Sequence, residues 1–445
     1  MPTRENQANS SYAKPPGSVR MDARDIAEKR LSPVDLVQTY LDRIAAADGA
    51  VQAWRVVDGE RALAVARERE AEAQRGRIRG PLHGIPVAIK DIIDVEGLPT
   101  RANCKARADI APASGDAEIV AALKAQGAII LGKVHTTEFA FFDPSPARNP
   151  HNLAHTPGGS SSGSAAAVAA GMAPIAIGTQ TVASVNRPAA YCGVAAFKPS
   201  TRSLSTFGIT PLGPSYDTPG FYGWGVDDAV AAWEAVAPDF LTSGPKPRAA
   251  KTVRITIPDD RHISDAIPDM KKAMKRMADA FANGGHEVEK VKSPIAFARL
   301  FEIQRSTMLY EAGRALKHLL EHRKGLVGAK LTEAIREGLA IAAGRYLDER
   351  AEIDGMRATF FQHFAKTDAF LWPAAPGTAP EGLAWTGDPK YISPWTALGG
   401  PVVTMPAGLA ANKLPLGCLI AGRPGSDVRH AAIACQLAQI GERHA

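Results

Sequence analysis

Cysteine is scarce in this chain. Cys104, Cys192, Cys418 and Cys435 are the only four in 445 residues, and no two form a Cys-x-x-Cys pair. The four read as buried or incidental thiols in a reducing compartment. No cluster of His, Cys and Asp has ligand spacing, so no metal is expected. A long apolar run is also missing. The most apolar stretch, Ala165 to Ile177, is broken by Gly171 and Pro174. It falls short of the ~18 residues a membrane span needs, and helix burial accounts for it. Basic blocks with interleaved aromatics are absent. The 52 basic and 46 acidic residues leave a net charge of +6 spread along the chain, which does not suggest nucleic-acid binding. No repeat or low-complexity linker divides the sequence. Met1 to Gly17 is polar and lacks the apolar core of a signal peptide. Residues 1–20 are therefore expected to be disordered and the protein cytoplasmic.

What is present is ordinary for a globular protein with a large core: 45% hydrophobic and 22% charged residues. Ser32-Pro33-Val34-Asp35 has the form of a helix start, with an N-cap serine, proline at the first position and an acid in the first turn. Leu36, Val37, Tyr40, Leu41 and Ile44 then recur at helical spacing. A helix is expected over 59–74 and a short strand within Gly84 to Asp91. Asp116 is expected to cap a helix to Gln126, which Gly127 stops before a strand over 128–131. Farther on come a helix around 227–237, a Pro-rich basic linker from Gly244 to Lys251, and a strand over 253–257. Pro268 starts a helix with Met270, Met274, Met277 and Phe281 on one face, a stripe that reads as core. Residues 296–364 are helical in pattern, 369–422 carry short strands, and a final helix spans 427–440. The fold class expected is α/β, a mixed central sheet between helices. Residues 21–445 form one domain in this reading, with 296–364 a helical cap over the substrate pocket.

The stretch from Pro157 to Pro199 organises the rest. It reads Pro157-Gly-Gly-Ser-Ser-Ser-Gly-Ser164, then the apolar run, then Gly178-Thr-Gln-Thr-Val-Ala-Ser-Val-Asn-Arg-Pro188. A Gly/Ser linker would be solvated, yet a buried-looking helix follows directly. A phosphate loop would need Lys-Ser or Lys-Thr after its second glycine block, and Ser164 follows Gly163. A loop carrying a serine nucleophile, with backbone N–H donors beside it, fits best.

The default partners for such a serine are histidine and aspartate. His83, His135, His151 and His155 are candidates, and Gly159 to Gly163 formally matches Gly-x-Ser-x-Gly around Ser161. That motif needs a strand running into the turn, and His155-Thr156-Pro157-Gly158 does not read as one.

These residues resemble the amidase signature family, whose core reads approximately Gly-Gly-Ser-Ser-Gly-Gly-Ser and then Gly-Thr-Asp-x-Gly-Gly-Ser-Ile-Arg-x-Pro. Ser160-Ser-Ser-Gly-Ser164 and Ser184-Val-Asn-Arg-Pro-Ala-Ala-Tyr-Cys-Gly193 are most similar to the malonamidase-like branch. The likeness extends from about Asp22 to the C-terminus. It implies a Ser-cisSer-Lys triad. Lys90 matches the lysine of Gly-x-Pro-x-x-x-Lys-Asp, Ser160 the serine preceded by a cis peptide, and Ser184 the nucleophile 24 positions later. A buried lysine loses its proton readily and can serve as base. Lys90 would take a proton from Ser160, which takes one from Ser184, and an acyl-enzyme would follow. The backbone N–H groups of Thr181, Val182, Ala183 and Ser184 are expected to form the oxyanion hole. Ser161, Ser162 and Ser164 would be supporting hydroxyls or helix caps.

Three departures from the family pattern stand out. Val182-Ala183 replaces Gly-Gly, Gln180 replaces the usual aspartate, and Arg187 lies three positions after Ser184 instead of two. In the malonamidase-like branch the shifted arginine can hold a substrate carboxylate. The same residue could equally brace neighbouring loops.

The resemblance implies hydrolysis of a small-molecule amide without metal or organic cofactor, with esters, anilides and carbamates (urethanes) as further substrates. Alternatives are an amidotransferase-type glutaminase subunit working in a complex, and a catalytically disabled family member. The expected partner is the small-molecule substrate, with no nucleic acid and no membrane; a homodimer is left open.

Overall fold

A computed structural model describes residues 17–238, 251–323 and 325–441. Of the segment 1–20 expected to be disordered, residues 1–16 lie outside these residues; the rest is ordered, with Ser18 capping a helix that already includes Val19 and Arg20. The linker expected over Gly244 to Lys251 lies outside the described residues except for Lys251. The first half of the chain runs α1 (Val19–Ala27), α2 (Pro33–Val51), β1 (Trp54–Val57), α3 (Gly59–Gln74), β2 (Pro86–Lys90), α4 (Glu118–Ala125), β3 (Ile129–Val134), α5 (Ser162–Ala169), β4 (Ile175–Gln180), α6 (Asn186–Cys192), β5 (Ala195–Lys198), β6 (Thr218–Gly223) and α7 (Val226–Glu234). The second half runs β7 (Arg254–Asp259), α8 (Pro268–Asn283), β8 (Glu287–Lys292), α9 (Phe297–His322), α10 (Ala329–Ala340), α11 (Ala343–His363), β9 (Ala369–Pro373), α12 (Ser393–Leu398), β10 (Val402–Leu409), β11 (Pro415–Ala421) and α13 (Asp427–Gly441).

The strands form one mixed sheet in the order β1-β3-β2-β4-β6-β5-β10-β11-β9-β7-β8. Strands β3, β2 and β4 are mutually parallel, as are β9, β7 and β8, and antiparallel pairs connect these two groups. Strands β2, β4, β5, β6, β9 and β11 are buried along their whole length. Burial on both faces requires helices on both sides, which explains why their apolar residues run continuously instead of alternating. The fold is the expected α/β architecture with a mixed sheet.

Local chemistry sets the element ends. Ser32 Oγ accepts from the N–H groups of Val34 and Asp35 at 3.1 and 3.3 Å and so starts α2. The methionine stripe of α8 faces inward, with Met270, Met277 and Phe281 buried and Met274 half-buried.

Two expectations need correction. Ala165 to Ile177 is not one helix: α5 stops at Ala169, Gly171 takes φ +67°, and β4 begins after Pro174. Left-handed glycine ends the helix, and proline, lacking an N–H, prevents its continuation. Asp116 does not cap α4. It accepts from the Glu96 N–H at 2.9 Å and pairs with Lys124 at 2.7 Å, leaving Ala117 at the N-cap position. Among the described residues no helix is long and apolar enough to cross a membrane.

Candidate active site

The site lies at the carboxyl ends of the adjacent parallel strands β2 and β4, the edge of a parallel sheet where ligands generally bind. Lys90 is the last residue of β2 and is fully buried. Its Nζ lies 2.7 Å from Ser160 Oγ and 2.8 Å from Thr179 Oγ1, the latter near the end of β4. No salt-bridge partner is within reach of it among the described residues. Burial pushes the Lys90 pKa well below the usual lysine range, and the charge of Asp217 pulls the other way. Asp217 is buried as well. It accepts from Thr181 Oγ1 at 2.5 Å and from the N–H groups of Leu212 and Gly213 at 2.9 and 3.1 Å.

Ser160 follows a cis peptide bond to Gly159. Gly158 takes φ +84°, and a Cβ there would stand 2.9 Å from Pro188 Cα, so the turn into Ser160 requires glycine. The neighbouring serines fasten the loop to β4 and its own turn. Ser161 Oγ donates to Thr179 O at 3.2 Å, Ser162 Oγ to Gly158 O at 2.8 Å, and Ser164 Oγ to Ile177 O at 3.1 Å. They are supporting hydroxyls, and Ser161, at the N-cap position of α5, makes no side-chain cap.

The loop after β4 carries Thr181 to Ser184. Its carbonyls are held from outside. Gln304 Nε2, on α9, donates to Thr181 O at 3.0 Å, and Thr396 Oγ1, on α12, donates to Val182 O at 2.6 Å. A planar trans peptide points its N–H opposite its C=O. Pinning these two carbonyls therefore aims the N–H groups of Val182 and Ala183 the other way, back across the loop. Among the described residues the backbone N–H groups of Thr181, Val182, Ala183 and Ser184 donate to no protein acceptor. Neither Val182 nor Ala183 has positive φ, so the residues replacing Gly-Gly sit in ordinary backbone.

Gln180 connects this loop to α6. Its Oε1 accepts from the N–H groups of Val185 and Asn186 at 2.9 and 3.0 Å, and its Nε2 donates to Thr396 Oγ1 at 2.9 Å. Ser393 Oγ in turn donates to Gln304 Oε1 at 2.8 Å.

Ser160, Thr181, Val182, Ala183, Ser184 and Arg187 all line one small chamber of about 20 Å³. Ser184 is 7% exposed, and its hydroxyl makes no hydrogen bond to a described residue, so a Ser160–Ser184 hydrogen bond is not formed here. Arg187 is buried without a salt-bridge partner among the described residues. It donates to Gly387 O at 2.6 Å, Gly159 O at 2.7 Å and Thr386 Oγ1 at 3.1 Å, while its Nε has no partner. Burial lowers its pKa to about 10.

The histidines are elsewhere engaged. His83 Nε2 meets Arg69 O, His151 Nε2 meets Cys192 O, and His155 Nδ1 meets Ala379 O. His135 Nδ1 is buried without a partner. None of the four hydrogen-bonds to a serine of the site. Among the described residues no group of three or more His, Cys, Asp or Glu side chains is placed to hold a metal.

Sequence reasoning missed Thr179, Asp217, Gln304 and Thr396. Thr179 sits in the quoted Gly-Thr-Gln segment and carried a signal. The other three lie 33 or more positions from Ser184 and reach the site only through tertiary packing.

A family model described as Amidase matches residues 35–430. A glutamyl-tRNA(Gln) amidotransferase subunit from Anaeromyxobacter dehalogenans is 31% identical over 448 residues, covering 90% of this chain and 91% of that protein. A crystal structure of an amidase superposes with a TM-score of 0.87 at 28% identity, covering 96% of this chain and all of the other. The peptide amidase from Stenotrophomonas maltophilia superposes at 0.79, also at 28% identity, covering 97% and 98%.

Proposed function

The chain belongs to the amidase signature family, and from that premise we propose that it hydrolyses a small-molecule amide bond through Lys90, Ser160 and Ser184. The observation that carries the reading is the 2.7 Å contact between buried Lys90 and Ser160 at the wall of the chamber that also holds Ser184. A lysine neutralised by burial accepts the Ser160 proton, and Ser160 takes the proton of Ser184 once that hydroxyl turns toward it. Ser184 Oγ adds to the carbonyl carbon, and the inward N–H groups of the 181–184 loop receive the oxyanion. The amine leaves with the proton returned through Ser160. Water repeats the sequence on the acyl-enzyme, releasing the acid and restoring Ser184. In this reading the helices α9 to α11 are the cap over the substrate pocket.

The malonamidase-like reading adds that Arg187 meets a substrate carboxylate. Its support is the unpaired charge and free Nε at the chamber wall. Three of its donors already brace the loops at Gly159 and 386–387, so bracing is part of its role.

Release of ammonia or amine from a panel of short amides, esters and carbamates, compared between wild type and Ser184→Ala, tests the proposal. Turnover that Ser184→Ala abolishes supports it; equal turnover by both overturns it. A second reading has a specific observation behind it. The similar sequence from Anaeromyxobacter is named as part of an amidotransferase, so a glutaminase supplying ammonia inside a complex is the alternative. Glutamine hydrolysis that appears only with a co-purifying protein would favour it over the free amidase.

A further inference from the structure

The chamber beside Ser184 opens into a vestibule of about 390 Å³, and Phe141, Phe142, Val182, Met308 and Pro389 belong to both. The two spaces differ in size and lining. The chamber has room for little beyond the reacting carbonyl and a compact substituent. The vestibule adds Phe301 and Trp385 to the shared Phe141 and Phe142, whose rings meet edge to face at 5.0 Å. Trp385 is 51% exposed, so its ring is open to a ligand in this space.

The rim charges are largely committed. Arg305 pairs with Glu337 through two hydrogen bonds at 2.7 and 2.9 Å, and Lys330 Nζ donates to Ala384 O at 2.8 Å and Phe142 O at 3.4 Å. Glu333 is the remaining rim acid and is exposed to solvent. The walls therefore offer rings and a thioether more than a charge.

The order of events assigns the two spaces. The amine must depart while the acyl group is still bonded to Ser184, and water must then come in behind it. The group nearer solvent is the one that can leave first. Arg305 and Glu337 are 52% and 44% exposed, so the vestibule is that side.

We propose that the vestibule is the binding subsite for an aryl group on the substrate nitrogen, so that N-aryl amides with a compact acyl group are preferred substrates. The proposal rests on the hydrolase reading above. In the step it serves, the Ser184 Oγ–carbonyl carbon bond forms and the carbon–nitrogen bond breaks. The Ser184 proton passes by way of Ser160 and Lys90 to the departing arylamine. Water then cleaves the ester, giving a carboxylic acid and free Ser184. The aromatic walls hold the aryl ring by edge and face contacts, and Met308 sulfur adds a further contact of the same kind.

The test compares kcat/KM for 4-nitroacetanilide and acetamide in wild type, Trp385→Ala, Trp385→Phe and Phe142→Ala. An aromatic contact of the usual size is worth about two- to tenfold. Trp385→Ala and Phe142→Ala are expected to lower the 4-nitroacetanilide-to-acetamide ratio by about fivefold, mainly through KM, and Trp385→Phe to restore most of it. Because Trp385 is half exposed, its replacement is not expected to unfold the chain, and a thermal melt of each variant checks this. Binding of acetanilide to Ser184→Ala, read by calorimetry, should weaken on adding Trp385→Ala. A ratio unchanged in both alanine variants overturns the aryl subsite while leaving the hydrolase reading intact. Failure of wild type to turn over any member of the panel of short amides, esters and carbamates overturns the hydrolase reading itself.

Discussion

Thr396 Oγ1 donates to the carbonyl oxygen of Val182 at 2.6 Å, and the direction of that bond is set by a third residue. A hydroxyl has one proton. Gln180 Nε2 donates to Thr396 Oγ1 at 2.9 Å, which occupies a lone pair and leaves the hydroxyl proton for Val182. The amide at position 180 thus has two tasks: its oxygen caps α6, and its N–H polarises the hydrogen bond that aims Ala183 N–H.

Gln180→Glu separates these tasks. The carboxylate keeps the acceptor for Val185 and Asn186 but loses the donor, so the Thr396 hydroxyl turns toward the acid and releases Val182 O. Removing a whole oxyanion donor costs about a hundredfold or more in kcat, and misaiming one is expected to cost about tenfold with KM nearly kept. Thr396→Val should give a similar loss, and the double variant should be little worse than either single one. A structural role alone would lower the melting temperature while leaving kcat of the folded fraction near wild type, and that outcome would contradict the assignment.

The pH profile follows from Lys90. In the proposed mechanism the neutral amine is the active form, and burial depresses its folded pKa. Activity should rise with pH along an acidic limb placed below the ordinary lysine range. Asp217 favours the ammonium, so Asp217→Asn is expected to move that limb to lower pH. A limb that stays put or moves upward would show that Asp217 does not act on Lys90. Stability carries a linked sign. Between the depressed folded pKa and the unfolded value, the unfolded chain binds the extra proton. Lys90's contribution is therefore lost progressively as pH falls through that window.

Val182 and Ala183 have no positive φ, so glycine at these positions is not needed for the backbone. Val182 lines both chamber and vestibule. Val182→Gly with Ala183→Gly is expected to keep acyl-enzyme formation and to broaden acceptance of bulky acyl groups, measured as kcat/KM over an acyl series. Creation of activity in an otherwise inactive protein would identify the natural chain as a disabled hydrolase.

For Arg187→Ala, KM should rise chiefly for carboxylate-bearing amides if the guanidinium meets the substrate. A hydrogen bond to a charged group is worth about 1.5–3 kcal/mol, a shift easily measured. Equal losses on neutral and acidic amides, together with a lower melting temperature, would assign Arg187 wholly to bracing Gly159 and the 386–387 turn.

Much of the fold was legible because its punctuation is local. Ser32-Pro33 starts α2, Pro268 starts α8, and the strand over 86–90 is an uninterrupted apolar run ending in Lys90. The apolar run from Ala165 misled for a physical reason. A buried helix and a buried strand in sequence have no polar alternation to separate them, and the boundary lay in Gly171 and Pro174. The site residues read from the resemblance converge in space: Lys90 on Ser160 directly, and Ser160, Ser184 and Arg187 at one chamber. The residues that aim the loop, Gln304 and Thr396, come from helices 120 and 212 positions beyond Ser184. Neither has a motif, because a single amide or hydroxyl pointed at a carbonyl leaves no periodic trace.

The central claim is that Ser184 carries the acyl group. Acid quenching during turnover of 4-nitrophenyl acetate, followed by peptide mass mapping, reads the acylated residue directly. The account predicts acetyl on Ser184, accumulated in wild type and absent from Ser184→Ala. Acetyl on Ser160, Ser161 or any other residue, with undiminished turnover in Ser184→Ala, would contradict it.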